Sequence, residues 1–215
     1  LDRGGLEGLV MLILPFRRII PSAFPPVTPG SMAWTTPGTY TFTVPAHRNF
    51  NYDVRGAGGG GQGPGGMVIT TPPFGMTFNP GGTGDTGGTS QVYLQQNPAL
   101  LNVIGFGGQG GANQATGAAG TAQGGDQNIT GGGAAGGAGG YLASGDSPVQ
   151  SGYGGYGARA TRSHLRGIIL IGQTLVINVG TGGAPGGYGA NSTPFNFAQS
   201  PGAYGSNGAV YISWS

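Results

Sequence analysis

The chain has no cysteine and no lysine. Without thiols there is no disulfide framework and no thiolate metal site. Without lysine, all eight basic residues are arginine. Charge is scarce altogether: 7% of the 215 residues are charged, and the formal net charge is +2. So small an excess does not point to nucleic acid as a partner, and it is too small to hold a chain open by self-repulsion. No apolar run approaches the roughly 20 residues that a membrane-spanning helix needs. No stretch of useful length carries the period of an amphipathic helix. A sustained Gly-X-Y period is missing, which excludes collagen. Catalytic constellations are missing as well. His47 and His164 are far apart, and the acids Asp2, Glu7, Asp53, Asp85, Asp126 and Asp146 are scattered, with no spacing suited to hydrolysis or metal binding. The sequence reads as that of a non-enzyme without a cofactor. Asp85 and Asp126 offer the oxygen ligands that calcium takes, but an aspartate bonding its own turn is the commoner use.

What the chain has is glycine: 51 residues, with 16 prolines. Together they make about three residues in ten, a composition that flags low complexity. Strand-sized apolar runs argue against simple disorder. Phe50, Tyr52 and Val54 alternate with Asn51, Asp53 and Arg55, the period of a half-buried β-strand. At Gly56 the apolar signal stops and the tract Gly56 to Gly66 begins. The same switch recurs after Ile104 and after Val179. Gly56-x-Gly58-x-x-Gly61 matches the dinucleotide fingerprint, but the helix that must follow cannot start in Gly60 to Gly66.

About nine short strands are expected. The clearest are Gly38 to Val44, with Tyr40, Phe42 and Val44 on one face; Phe50 to Arg55; Thr174 to Val179; and Ala209 to Trp214. Weaker ones are Met67 to Thr71, Phe74 to Phe78, Ser90 to Leu94, Leu100 to Ile104 and Leu165 to Ile171, the last joined to Thr174 around Gly172-Gln173. That pattern indicates an all-β sandwich or barrel. Residues 105–140 contain hardly any large apolar side chain besides Phe106 and Ile129. They are too long for an ordinary connection. They are either mobile or an ordered bundle of left-handed, three-residue-per-turn glycine helices. Order is the favoured reading, because no charged run expands the segment.

Residues 1–31 differ from the rest. Leu9 to Leu14 is apolar, Pro15-Phe16-Arg17-Arg18-Ile19-Ile20 follows, and a proline-rich passage runs to Gly30. The arginines follow the apolar run, the reverse of a secretory signal. The segment reads as an extended arm that docks on a partner, or as an untethered tail. Residues 32–215 form the glycine-rich domain.

The order of motifs is distinctive. Gly38-Thr39-Tyr40-Thr41-Phe42-Thr43-Val44-Pro45 is followed by a strand ending in Gly-Ala-Gly-Gly-Gly-Gly, then by Gly172-Gln173-Thr174-Leu175-Val176-Ile177-Asn178-Val179-Gly180-Thr181-Gly182-Gly183, and at the end by Asn207-Gly208-Ala209-Val210-Tyr211-Ile212-Ser213-Trp214. Residues 34–215 thereby resemble the glycine-rich domain of bacteriophage tail-fibre and virion surface proteins. A similar layout occurs in the ectodomain of the anaplastic lymphoma kinase receptor. The resemblance implies a β-sandwich of jelly-roll or tumour-necrosis-factor type with polyglycine II helices in its loops. It implies a structural protein at the virion surface, a spike or fibre component of a tailed or tail-less phage. The expected partners are further copies of the chain, as a trimer or pentamer, other capsid or fibre proteins, and a host surface receptor. In this reading Leu12, Ile13, Leu14, Phe16, Arg17, Arg18, Ile19 and Ile20 anchor the arm to the particle.

The alternative is a dedicated receptor-binding tip that recognises a host glycan or outer-membrane protein. It requires Tyr141, Tyr153, Tyr156, Tyr188 and Tyr204 to lie at one tip. A third reading, ice binding, rests on the regular polar rows that glycine bundles can present. Tyr153 and Tyr156 precede Arg159, Arg162, His164 and Arg166. They form a candidate patch for anionic sugars or phosphate, with the tyrosines stacking on the ligand. The competing readings of the same residues are a solvated loop edge or a contact between subunits.

Overall fold

The computed structural model describes residues 26–70, 75–142, 149–165, 167–190 and 198–215. The chain is all-β, with no helix among the described residues. In chain order the strands are β1 (Gly30–Trp34), β2 (Gly38–Thr43), β3 (Asn49–Arg55), β4 (Gly66–Thr70), β5 (Gly75–Asn79), β6 (Ser90–Leu94), β7 (Asn102–Gly105), β8 (Ala122–Gln123), β9 (Gln127–Ile129), β10 (Tyr141–Leu142), β11 (Val149–Gln150), β12 (Arg159–Leu165), β13 (Thr174–Val179), β14 (Gln199–Ser200) and β15 (Ala209–Trp214).

Two five-stranded antiparallel sheets carry the core. The first has the order β1-β15-β3-β12-β9, the second β2-β13-β6-β7-β8. Alternation decides what each strand contributes. Phe50, Tyr52 and Val54 of β3 turn inward with Val210 and Ile212 of β15, while Leu175, Ile177, Val92, Leu94 and Val103 come from the second sheet, all in one buried cluster. Phe42 bridges the sheets through its rings: it lies 5.5 Å from Trp214 and 6.2 Å from Phe50, with Trp34 edge-on at 5.7 Å. Such aromatic pairs add about 0.5–1.5 kcal/mol each beyond their burial.

The sheets have two different ends. At one, β2 turns into β3, β6 into β7 and β12 leads to β13 through connections of ordinary length. The chain also enters and leaves here, because Gly30 is paired with Trp214 and Thr28 accepts the Trp214 indole N–H at 3.0 Å. At the other end β3, β7, β12 and β13 all meet glycine segments.

Residues 56–66 are buried without a break. Their backbone bonds repeat every third residue. The N–H groups of Ala57, Gly60 and Gly63 donate to Gly88, Asp85 and Gly82. Those of Gly58 and Gly61 donate to Ser206 and Ala203, and those of Gly59 and Gln62 to Gly155 and Gly152. The carbonyls alternate likewise: Ala57 and Gly60 accept from Gly108 and Gly111, Gly56, Gly59 and Gln62 from Ala134, Gly137 and Gly140, and Gly58, Gly61 and Pro64 from Gly183, Gly186 and Gly189. Three neighbours run antiparallel to the central segment and three run parallel. The three-residue repeat aims successive groups at successive neighbours, so the backbone from Gly56 to Gln62 is satisfied without strand pairing. The packing leaves no room for side chains: a Cβ at Gly58 would overlap the carbonyl oxygen of Ala135. Residues 105–140, for which order was the favoured expectation, are bonded into this arrangement from Phe106 onward.

The structure departs from the expected strands in one instructive place. The expected strand Leu165 to Ile171 is absent; β12 occupies Arg159–Leu165 instead. Ile168, Leu170 and Ile171 are exposed and only Ile169 enters the core. The apolar run there is an end loop, whereas the weakly apolar stretch before it is the strand.

Candidate functional site

The inward turn of Phe50, Tyr52 and Val54 forces Asn51, Asp53 and Arg55 outward. Register then sets their neighbours. Ser213 and Ser163 flank Asn51, and Tyr211 and Thr161 flank Asp53. Ser31 and Ala33 of β1 continue the row beyond β15. Short side chains in the middle of this face leave an open groove of about 540 Å³, lined among others by Ser31, Asn51, Thr161, Ser163, Tyr211 and Ser213.

Charged groups close the groove on the side of the glycine segments. Asp53 accepts from Arg55 Nη2 at 2.8 Å and from Arg159 Nε and Nη2 at 2.9 Å each. Burial pushes the Asp53 carboxyl up, but the two guanidinium groups outweigh it and hold the pKa below the usual carboxylate range. Asp53 raises Arg55 in turn. The Arg55 guanidinium also covers the Tyr211 ring, 4.9 Å from its centroid. The result is a fixed cluster of two cations, one anion and one aromatic ring.

Of the six residues singled out from the sequence, the five that are described do not form one patch. Tyr153 and Tyr156 are exposed on the segment leading to β12, three positions apart, and Arg159 is three positions further. Tyr153 is bonded to the Gln150 amide. Arg162 and His164 lie on the opposite face of β12 from Arg159. Arg162 Nη1 donates to the Gly124 carbonyl at 3.1 Å. His164 is buried, its ring edge-on to Tyr52 at 5.8 Å, and its Nε2 has no partner among the described residues. Burial lowers the His164 pKa; Arg162 lowers it further, and Asp126 opposes both. Burial raises the Tyr52 pKa well above the usual phenol range. Arg166 and the arm residues Leu12, Ile13, Leu14, Phe16, Arg17, Arg18, Ile19 and Ile20 lie outside the described residues. The basic cluster is divided because these residues belong to a strand, whose period of two sends neighbours to opposite faces.

Sequence reasoning missed the roles of Asn51, Asp53, Arg55 and Tyr211. The polar alternation of β3 was visible, but its partner strands were not. The five exposed tyrosines of the glycine segments do not share a tip. Gly155, next to Tyr156, is bonded to Gly59, whereas Gly189, next to Tyr188, is bonded to Pro64. Asp126 accepts the Ser163 backbone N–H at 2.8 Å. No three His, Cys, Asp or Glu side chains gather among the described residues. No helix among those residues is long and apolar enough to cross a membrane.

A second surface feature lies at the opposite end of the sheets. Leu100, Ile168, Leu170 and Ile171 are exposed there. Both loops that carry them adjoin the start of β13: Gln95 donates to Thr174, and Gln173 to Leu170. No protein-family model, no curated protein and no solved structure matches the chain.

Proposed function

We propose that the chain is a structural protein of a bacteriophage virion, a surface spike or fibre component. In this reading the two sheets are a β-sandwich of jelly-roll or tumour-necrosis-factor type. The glycine segments are polyglycine II helices, wound at three residues per turn and about 3.1 Å per residue. Residues 1–31 anchor the spike to other capsid or fibre proteins, the sandwich packs against further copies of itself, and the glycine bundle faces the host.

One observation carries the reading: the two ends of the sheets are chemically opposite. The arm joins the domain at the end where Leu100, Ile168, Leu170 and Ile171 are exposed, while every glycine segment lies at the other. An aliphatic base beside an apolar arm suits attachment to a shell. A bundle built mainly from backbone, with few charges and with Gln62 as its buried long side chain, suits an exposed projection, because it offers proteases and oxidants little to act on.

The test is fractionation. The protein is expected in density-purified particles, in a stoichiometry that is a multiple of three or five. Finding it only in host lysate, and never in particles, would refute the proposal. Light scattering of the full chain then separates a trimer, expected for a fibre or threefold spike, from a pentamer at an icosahedral vertex.

The second reading, a receptor-binding tip for a host glycan or outer-membrane protein, loses the single tyrosine tip it required, and the groove on the first sheet is what remains in its favour. Hydroxyl, amide and aromatic groups converge there with a fixed charge cluster.

A further inference from the structure

We infer that the outer face of the first sheet, together with the ridge leading to β12, binds an extended acidic polysaccharide. The inference rests on the outward-facing reading of the glycine end and names the ligand class for the groove.

The ridge comes first. At three residues per turn, Tyr153 and Tyr156 stand in line about 9 Å apart, and Arg159 opens β12 three residues further on. Both tyrosine rings are exposed, at 44% and 54%. Glycines adjoin the ridge: a Cβ at Gly131 would lie 3.9 Å from the Tyr156 Cβ, and the neighbouring Gly132 faces Arg159 and Ile129. A sugar ring has an apolar C–H face that stacks on such exposed aromatics, and the interval suits alternate rings of an extended polymer.

The charge cluster supplies the anion site. Asp53 has its oxygens occupied by the Nε and Nη2 groups of Arg55 and Arg159. The Nη1 group of each arginine has no acceptor among the described residues. Both side chains are more than a third exposed, and the shared carboxylate fixes their orientation. Two guanidinium edges with a net charge of +1 are therefore preset for a carboxylate, sulfate or phosphate group, which arginine binds through paired N–H donors. Beyond them Tyr211, covered on one side by Arg55 but still partly exposed, offers a third aromatic ring, and Asn51, Ser163 and Ser213 offer the hydrogen-bonding groups that match sugar hydroxyls. The strip from Tyr153 to Asn51 thus brings together stacking, anion and hydroxyl recognition, the three kinds of contact an acidic polysaccharide offers.

The test is calorimetry on the full chain with polygalacturonate, a sulfated glycosaminoglycan and neutral dextran. Binding to at least one acidic polymer is expected, weakening as salt rises, with none to dextran. Tyr156→Ala and Tyr211→Ala should each weaken it about fivefold, the scale of one aromatic contact. Arg159→Gln should weaken it further and reduce its salt dependence. Tyr204→Ala, on a different glycine segment, should leave it unchanged; matched tryptophan-fluorescence melting curves would establish that the variants fold. Failure of all three polymers to bind, equal binding of dextran, or equal losses from Tyr204→Ala and Tyr156→Ala would overturn the inference. So would a change in molecular mass with Tyr211→Ala and no change in saccharide binding, because the face would then be a contact between copies. Particle fractionation is independent of these outcomes, so a virion protein without a saccharide site would be recognised as such.

Discussion

Replacing Gly60 by alanine adds one methyl group to a buried backbone crossing. A Cβ at that position would overlap the Ala184 carbonyl oxygen and approach that of Gly183 to 2.9 Å, inside the 3.0 Å that real Cβ contacts respect. The obstacles are backbone atoms, so no side chain can swing away. Three hydrogen bonds are at stake: Gly60 to Asp85 at 2.8 Å, Gly111 to Gly60 at 2.9 Å, and Asp85 to Ala184 at 2.8 Å. Each buried group left without a partner costs about 1–3 kcal/mol. Against this stands the lower entropy of an unfolded alanine, roughly 0.4–1 kcal/mol. The net loss is about 3–5 kcal/mol, a third or more of the stability of an ordinary domain. At about 2–4 °C per kcal/mol for a chain of this size, the melting temperature should fall by roughly 6–20 °C. Gly187 is the internal control, because a Cβ there meets nothing within 4 Å. Gly187→Ala should be neutral or slightly stabilising. Melting should be followed by the fluorescence of Trp34 and Trp214, and amide exchange across residues 56–64 would report the bundle directly. Equal melting temperatures and equal exchange for the two variants would refute the close-packed arrangement of the glycine segments.

Gln62 is a buried side chain in the same row; its amide oxygen accepts from Gln114 at 2.8 Å and Gly152 at 3.0 Å, and its nitrogen donates to Gly81 at 3.1 Å. Gln62→Leu should cost about 2–4 kcal/mol in denaturant titrations by leaving those backbone groups bare. His164 is held neutral by burial and by Arg162, against the weaker pull of Asp126. Its folded pKa lies below the unfolded value, so its contribution is present above about pH 6.5 and is lost as the pH falls toward the folded pKa. His164→Phe should flatten that part of the acid profile in melting curves taken between pH 7.5 and 5. Leu170 is 57% exposed, and Leu170→Ser should change stability by less than about 0.5 kcal/mol. Incorporation into particles should nevertheless fall, and unchanged incorporation would show that this aliphatic end seats on nothing.

The β framework was legible wherever apolar residues alternate. Phe50, Tyr52 and Val54 marked β3, Leu175, Ile177 and Val179 marked β13, and Val210, Ile212 and Trp214 marked β15. β12 was not legible, because Ala-Thr-Arg-Ser-His presents little apolar area, while Ile168, Leu170 and Ile171 imitate a strand and yet face solvent. The groove was hidden for a related reason: its floor is assembled from four strands that are distant in sequence, and small polar side chains carry no pairing signal. The glycine segments did carry one. Gly81, Gly84 and Gly87 are spaced by three, as are Gly180, Gly183, Gly186 and Gly189, and Gly202, Gly205 and Gly208. Each run is short, long stretches separate them and the last is out of phase with the first two, so the chain shows no single sustained period. Which run lies beside which could not be read, because backbone N–H and C=O groups are the same for every residue.

The central segment is translated early and enclosed late. Its six neighbours are drawn from residues 82 to 206, and the strand that closes the first sheet, β15, pairs with both β3 and β1. On a ribosome the central segment must therefore wait, unbonded on at least one side, until residues 201–208 have left the exit tunnel. Contacts so distant in sequence make for slow folding. A nascent chain stalled before residue 200 would present a glycine rod with its polar backbone open along one flank, so assembly waits on the synthesis of residues 201–208.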